Sequence, residues 1–197
     1  MPAEVLHALP GYGPDVAQNR KDAQEIMRGL GYGPGKRLSL KVSTRDIPPF
    51  RDAAVVLLDQ LKEIYVDAEL EPIDTTQWFP KVNRKDYTVA LNLTGNGIDE
   101  PDQNFYENYV CGAEGNYNKY CNPELDKMVD RQSMEANQEK RKAMVWEIER
   151  KLAEDGARPI IFYAPAGNCR QPYVKGLTIM SNSIYNGWRM EDVWLDK

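Results

Sequence analysis

Three carboxylates, Asp99, Glu100 and Asp102, surround Pro101. Carboxylates this close can divide acid and base work, one holding a proton and the other not. The same residues also suit a helix start, because proline is tolerated in the first turn and acids are favoured at that end. The helix-start reading is preferred, because partners for catalysis are scarce. His7 is the only histidine, so neither a Ser-His-Asp arrangement nor a base for a nucleophilic Cys169 is available. Gly31-Tyr32-Gly33-Pro34-Gly35 is glycine-rich but follows a helical pattern and lacks the Lys-Ser/Thr of a phosphate loop, so it reads as a helix stop and turn. No catalytic residue and no cofactor are expected.

The three cysteines are Cys111, Cys121 and Cys169. A lone histidine and the lack of a Cys-x-x-Cys pair argue against a metal site. Cys111 and Cys121 flank the polar stretch Gly-Ala-Glu-Gly-Asn-Tyr-Asn-Lys-Tyr. A disulfide closes them if the backbone brings them within reach; otherwise they are free thiols in a reducing compartment. Cys169 is left over.

Aromatic residues are the more suggestive supply. Phe105, Tyr106 and Tyr109, then Tyr117 and Tyr120, and later Tyr185 and Trp188 include several that follow the C-terminal end of a strand pattern. That is where open α/β sheets bind ligands, and amphipathic rings with a few polar groups suit a small-molecule cleft. Each ring taken singly is more often core.

The elements that must position these residues alternate. Asp15 caps a helix to about Leu30, with Ala23, Ile26, Met27 and Leu30 on one face and Gly31 ending it. Leu38, Leu40 and Val42 alternate as a strand, and a helix is expected over 51–67 with the stripe Ala54, Leu58, Leu61 and Tyr65. A strand over 68–73, a short helix from Thr75 or Thr76, and a strand through Tyr87, Val89, Leu91 and Leu93 follow. Helices then begin near Asp99, at Asn122-Pro123 and at Asn137, the last carrying Met144, Val145, Ile148 and Leu152 on one face. Ile160-Ile161-Phe162-Tyr163 reads as a strand covered on both faces. The alternation predicts an α/β fold with a mainly parallel sheet flanked by helices. After Gln171 the pattern changes to strands and loops, so 1–170 is expected to be one lobe and 171–197 a tail.

With 42% hydrophobic and 28% charged residues, the 197-residue chain has ordinary globular composition. A net charge of -5 and a pI near 5.1 exclude the concentrated basic surface a nucleic-acid partner needs. No apolar stretch reaches the roughly 18 residues of a membrane span. The first residues lack the pattern of a signal peptide, so either the protein is cytoplasmic or an export signal lies upstream.

The order of these segments resembles the C-terminal lobe of the family-5 solute-binding proteins, the dipeptide- and oligopeptide-binding group. The likeness runs from the helix over 15–31 ending in Gly31-Tyr32, through Leu57 to Pro72, the strand Asp86-Tyr87-Thr88-Val89-Ala90-Leu91 and Pro101-Asp102-Gln103-Asn104-Phe105. It continues with Tyr120-Cys121-Asn122-Pro123-Glu124-Leu125-Asp126, the helix and strand from Arg141 to Ile160, and Val174-Lys175-Gly176. The resemblance implies a periplasmic-binding-protein-like lobe of a two-lobe protein that captures a small-molecule or peptide-like ligand and delivers it to an ABC permease. It also implies a periplasmic location, or a cell-surface lipoprotein, and an N-terminal lobe missing from this chain on which the tail 171–197 packs. Export favours a Cys111–Cys121 disulfide, since thiols oxidise there. On this resemblance Asn96, Gly97, Ile98, Asp99, Phe105, Tyr106 and Tyr109 line this lobe's side of the cleft.

Peptide-binding relatives anchor the ligand ammonium with an Asp four positions before the motif proline, and here that position is Gly97. A buried ammonium without a carboxylate costs several kcal/mol, so an uncharged or anionic solute, such as a sugar or another peptide-like molecule, is expected rather than a free peptide. The other readings weighed are a protein–protein interaction or sensor module on the same fold, and an enzyme using Asp99, Glu100 or Asp102.

Overall fold

The structure is a computed structural model that describes residues 2–9, 11–164, 167–180 and 188–197. Two units divide the chain, Met1–Leu93 and Thr94–Lys197. The first unit holds α1 (Ala3–His7), α2 (Val16–Gly29), β1 (Leu38–Arg45), α3 (Pro48–Lys62), β2 (Val66–Ile73), α4 (Thr75–Asn83) and β3 (Val89–Leu91). The second holds α5 (Pro101–Asn108), α6 (Pro123–Ser133), α7 (Gln138–Glu154), β4 (Val174–Lys175) and β5 (Trp194–Leu195).

In the first unit a parallel sheet runs in the order β2-β1-β3. Alternation sends Leu40, Val42 and Thr44 of β1 to one face with Ala68 and Leu70 of β2. Val42 and Ala54 are fully buried where α3 packs on this face, each buried aliphatic side chain of valine size or larger contributing about 1.5–3 kcal/mol. On the other face α4 is tied down where Lys81 Nζ lies 3.4 Å from Glu71, which also accepts from the Ser43 hydroxyl at 2.5 Å. The fold is thus α/β with a parallel sheet flanked by helices, as expected.

Four local expectations change. In α2, Met27 is buried but Ile26 and Leu30 are 65% and 66% exposed. The grip on that helix is polar on one side, with Gln24 donating to the Glu63 carbonyl at 2.7 Å and Arg20 paired with Glu63 at 2.9 Å. The helix expected over 51–67 is α3, which starts earlier and ends earlier. Pro48 and Pro49 occupy its first turn, where a missing N–H is harmless, and the chain turns at Tyr65 with φ 66°, so β2 begins at Val66. β3 keeps only Val89–Leu91, the residues that pair with β1, leaving Tyr87 and Leu93 outside. Residues 160–163 form no strand, and Ile161, Phe162 and Tyr163 are all exposed. An apolar run forms a covered strand only where a ladder and two layers meet it, and among the described residues of its own unit this run joins no ladder.

The second unit is built on helices. Asn122 caps α6 by accepting from the backbone N–H groups of Glu124 and Leu125, and Asn137 caps α7 by accepting from Lys140. Leu125, Val129, Ile148 and Leu152 bring these two helices together around Phe105 of α5. The tail holds one short antiparallel pair, β4 with β5. Of the aromatic run near its end, 185–187 lie outside the described residues, and Trp188 is exposed.

Candidate ligand-binding loop

Residues 94–100 lead into α5, and α5 itself holds them in place. Gln103, two residues into the helix from Pro101, turns its side-chain oxygen back to accept from the backbone N–H groups of Gly97 at 2.9 Å and Ile98 at 3.2 Å. Its amide nitrogen donates to Glu107 one turn on, at 3.2 Å. A Cβ at position 97 would meet the Gln103 side chain at 3.6–3.7 Å, so Gln103 occupies the space beside this glycine.

The three carboxylates sit beside this latch. Glu100 caps α5 by accepting from the Asp102 N–H. Arg141 of α7 bonds Glu100 through both terminal nitrogens and lies 3.2 Å from Asp102, while its Nε donates to Gln132 at 3.1 Å. Asp102 also accepts from Gln132 and from the Ser133 hydroxyl, the latter at 2.6 Å. Burial pushes the Asp102 carboxyl upward, but the Ser133 and Gln132 bonds and the Arg141 charge outweigh it and hold the group below its ordinary range. A carboxyl held ionised and engaged by three side chains ties the start of α5 to α6 and α7. It is not poised as a general acid.

The residues expected to line the cleft separate into two sets. Asn96 and Gly97 are half-buried and Ile98 and Asp99 exposed, all in the loop. Tyr106 is exposed on α5 and donates to Asp130 at 2.8 Å; burial first, and then this bond, raises its pKa. Phe105 and Tyr109, by contrast, are buried in the core against Leu125, Val129 and Ile148. Tyr109 carries Arg158 over its ring at 5.4 Å.

Beyond α5 in the chain, Cys111 and Cys121 form a disulfide that closes a sequence separation of ten residues. Asn116 crosses the enclosed loop, donating to the carbonyls of Val110 at 3.1 Å and Tyr120 at 2.6 Å. Tyr120 in turn donates to Asp155 at 2.6 Å, and burial together with that bond raises its pKa to about 12. Cys169 is a free, exposed thiol. Among the described residues no group of three metal-binding side chains gathers, and no helix is long and apolar enough to cross a membrane.

The sequence reading assigns no role to Gln103, Gln132 or Arg141. The i,i+4 spacing of Gln103 and Glu107 is a visible signal, but the convergence of Arg141 on Glu100 and Asp102, the former 41 positions earlier, carries none.

The fold is that of the periplasmic-binding-protein class. The oligopeptide-binding protein OppA of Haemophilus influenzae, solved in complex with the peptide RPPGFSPFR, superposes with a TM-score of 0.78 at 20% identity over 95% of this chain and 37% of that one. The murein tripeptide-binding protein MppA of Escherichia coli gives 0.66 at 20% identity, over 73% and 28% of the two chains. The ABC transporter substrate-binding protein CtaP of Listeria monocytogenes gives 0.60 at 25% identity, over 75% and 30%. This chain therefore spans under two-fifths of the length of these structures. No family model and no curated protein sequence matches it.

Proposed function

We propose that this chain is the C-terminal lobe of the substrate-binding component of an ABC importer, and that it takes up a small solute between two lobes for delivery to a membrane permease. The observation that carries this reading is the superposition with OppA over 95% of the chain, in a protein solved with peptide bound. The disulfide supports a periplasmic or cell-surface location, where thiols are oxidised. Residues 94–102 with Tyr106 form this lobe's contribution to the cleft, Phe105 and Tyr109 support them from the core, and lobe closure brings the remaining contacts from an N-terminal lobe. The tail, 171–197, packs on that lobe. With glycine at position 97 and Gln103 beside it, the loop offers a ligand no carboxylate at that point, which favours an uncharged or anionic solute over a free peptide ammonium.

The test is thermal-shift screening of the full-length protein against di- and tripeptides, sugars and small organic acids. A ligand that binds the folded state raises the melting temperature by mass action. Stabilisation by sugars or acids is expected. Stabilisation by free peptides overturns the reading of Gly97, and no stabilisation across the set overturns solute capture.

A further inference from the structure

Asn96-Gly97 lies in the loop that leads into α5. In such a pair the glycine's backbone nitrogen can attack the side-chain carbonyl carbon of the asparagine. Glycine has no Cβ to crowd the approach, and its backbone turns readily into the geometry the attack needs. Asn96 is half-buried between the exposed Gly95 and Ile98, and its carboxamide forms no hydrogen bond among the described residues. Asparagines further along the same unit are held differently. Asn108 donates to Asn104 at 3.1 Å, Asn116 donates to the carbonyls of Val110 and Tyr120, and none of the three precedes a glycine.

The nitrogen that must attack is the one whose proton is held. Gln103 accepts from the Gly97 N–H at 2.9 Å and from the Ile98 N–H at 3.2 Å, and Glu107 steadies its amide nitrogen at 3.2 Å. To reach Cγ of Asn96, the Gly97 nitrogen first gives up its bond to Gln103, and the cost of that opening adds to the barrier. Gln103 also fills the space beside the glycine. Its side chain is 3.6–3.7 Å from the place of a Cβ at 97, and beyond the chain neighbours no other described residue comes within 4 Å of that point.

We propose that Asn96 is a deamidation site gated by Gln103. The Gly97 nitrogen bonds to Cγ of Asn96 and gives its proton to hydroxide, and the side-chain nitrogen takes a proton from water and leaves as ammonia. Water then opens the succinimide ring and leaves aspartate or isoaspartate at position 96. A carboxylate replaces a neutral amide, and such a change acts through local electrostatics like any other charge-changing modification. It puts a negative charge on the loop that lines this lobe's side of the cleft, which disfavours an anionic solute. That consequence rests on the solute-capture reading; the chemistry at Asn96 does not.

The test ages the 197-residue chain in mildly alkaline buffer, both folded and in urea. Mass spectrometry of its peptides follows the conversion, which adds about 1 Da, and fragmentation places the added mass at residue 96. Gln103→Leu cannot accept the bond and is expected to speed conversion roughly fivefold, the rate equivalent of one net hydrogen bond. The other Asn-Gly pair, 186–187, lies outside the described residues and serves as the chemical reference, with equal rates expected in parent and variant. Three results overturn the proposal: equal rates at 96 in parent and Gln103→Leu, an acceleration at 186 as large as that at 96, or no conversion at 96 in either chain. If Gln103→Leu fails to fold, the folded parent against the parent in urea decides, and equal rates at 96 overturn the gate. A ligand screen without a hit refutes solute capture and leaves this site standing, because the mass readout involves no ligand.

Discussion

Arg158 donates to the carbonyl of Gly115 at 2.8 Å, across 43 residues of sequence, and its other terminal nitrogen donates to Asn108 at 3.0 Å. This pins the disulfide loop to the end of α5. The approach is close enough that a Cβ at position 115 would sit 2.6 Å from the Glu107 carbonyl oxygen.

Gly115→Ala therefore forces backbone against backbone and is expected to destabilise the protein by about 1–3 kcal/mol, the range for overpacking. Urea unfolding measures it. A loss within experimental error contradicts the close approach.

Arg141→Met removes the cation that joins Glu100 and Asp102 and leaves the fully buried Gln132 short of a partner. A loss of about 1–3 kcal/mol is expected from the groups left unmet. Because the same cluster anchors the start of α5, amide exchange at Gly97 and Ile98 should quicken. Unchanged exchange there separates the loop from the clasp.

The Asp102 carboxyl has a lowered folded pKa, so its contribution is present above its ordinary value of 3.8 and is lost as pH falls through the folded value. Stability measured by urea should thus fall in acid more steeply for the parent than for Asp102→Asn. Parallel profiles contradict the assignment.

Tyr120 has the opposite sign. Its neutral form is favoured in the fold, with a pKa of about 12 against 10.0, so its contribution is full below pH 10 and lost as pH rises towards 12. Ultraviolet titration of the phenolate should show one late-ionising tyrosine that disappears in Tyr120→Phe. A parent curve identical to that of the variant removes the Asp155 bond from the account.

Reducing the Cys111–Cys121 bond frees a loop with a sequence separation of ten residues, and loop closure of this size is worth about 2–3 kcal/mol. The melting temperature should fall on reduction and be unaffected by reductant in Cys111→Ser/Cys121→Ser. Equal melting temperatures before and after reduction contradict a stabilising bridge.

Much of the fold is legible because its signals are local. Asp15, Asn122 and Asn137 each cap the helix that follows them, and the alternation of Leu38, Leu40 and Val42 marks β1, because caps and pleats act over a few residues. Boundaries are less legible where proline and a left-handed residue decide them, as at Pro48 and Tyr65. The apolar run at 160–163 misleads because hydrophobicity records a need for cover and not whether the cover is present. In the candidate site, the loop and its aromatics can be named from sequence, but their division into surface and core cannot.

Short-range spacing was enough to set the alternation of helices and strands, the parallel sheet it requires and the cysteine pair flanking a polar loop. It took the folded arrangement to turn Phe105 and Tyr109 inward and to gather Glu100 and Asp102 on Arg141. Those outcomes depend on which side chains meet across tens of residues, and close packing settles that when the elements come together.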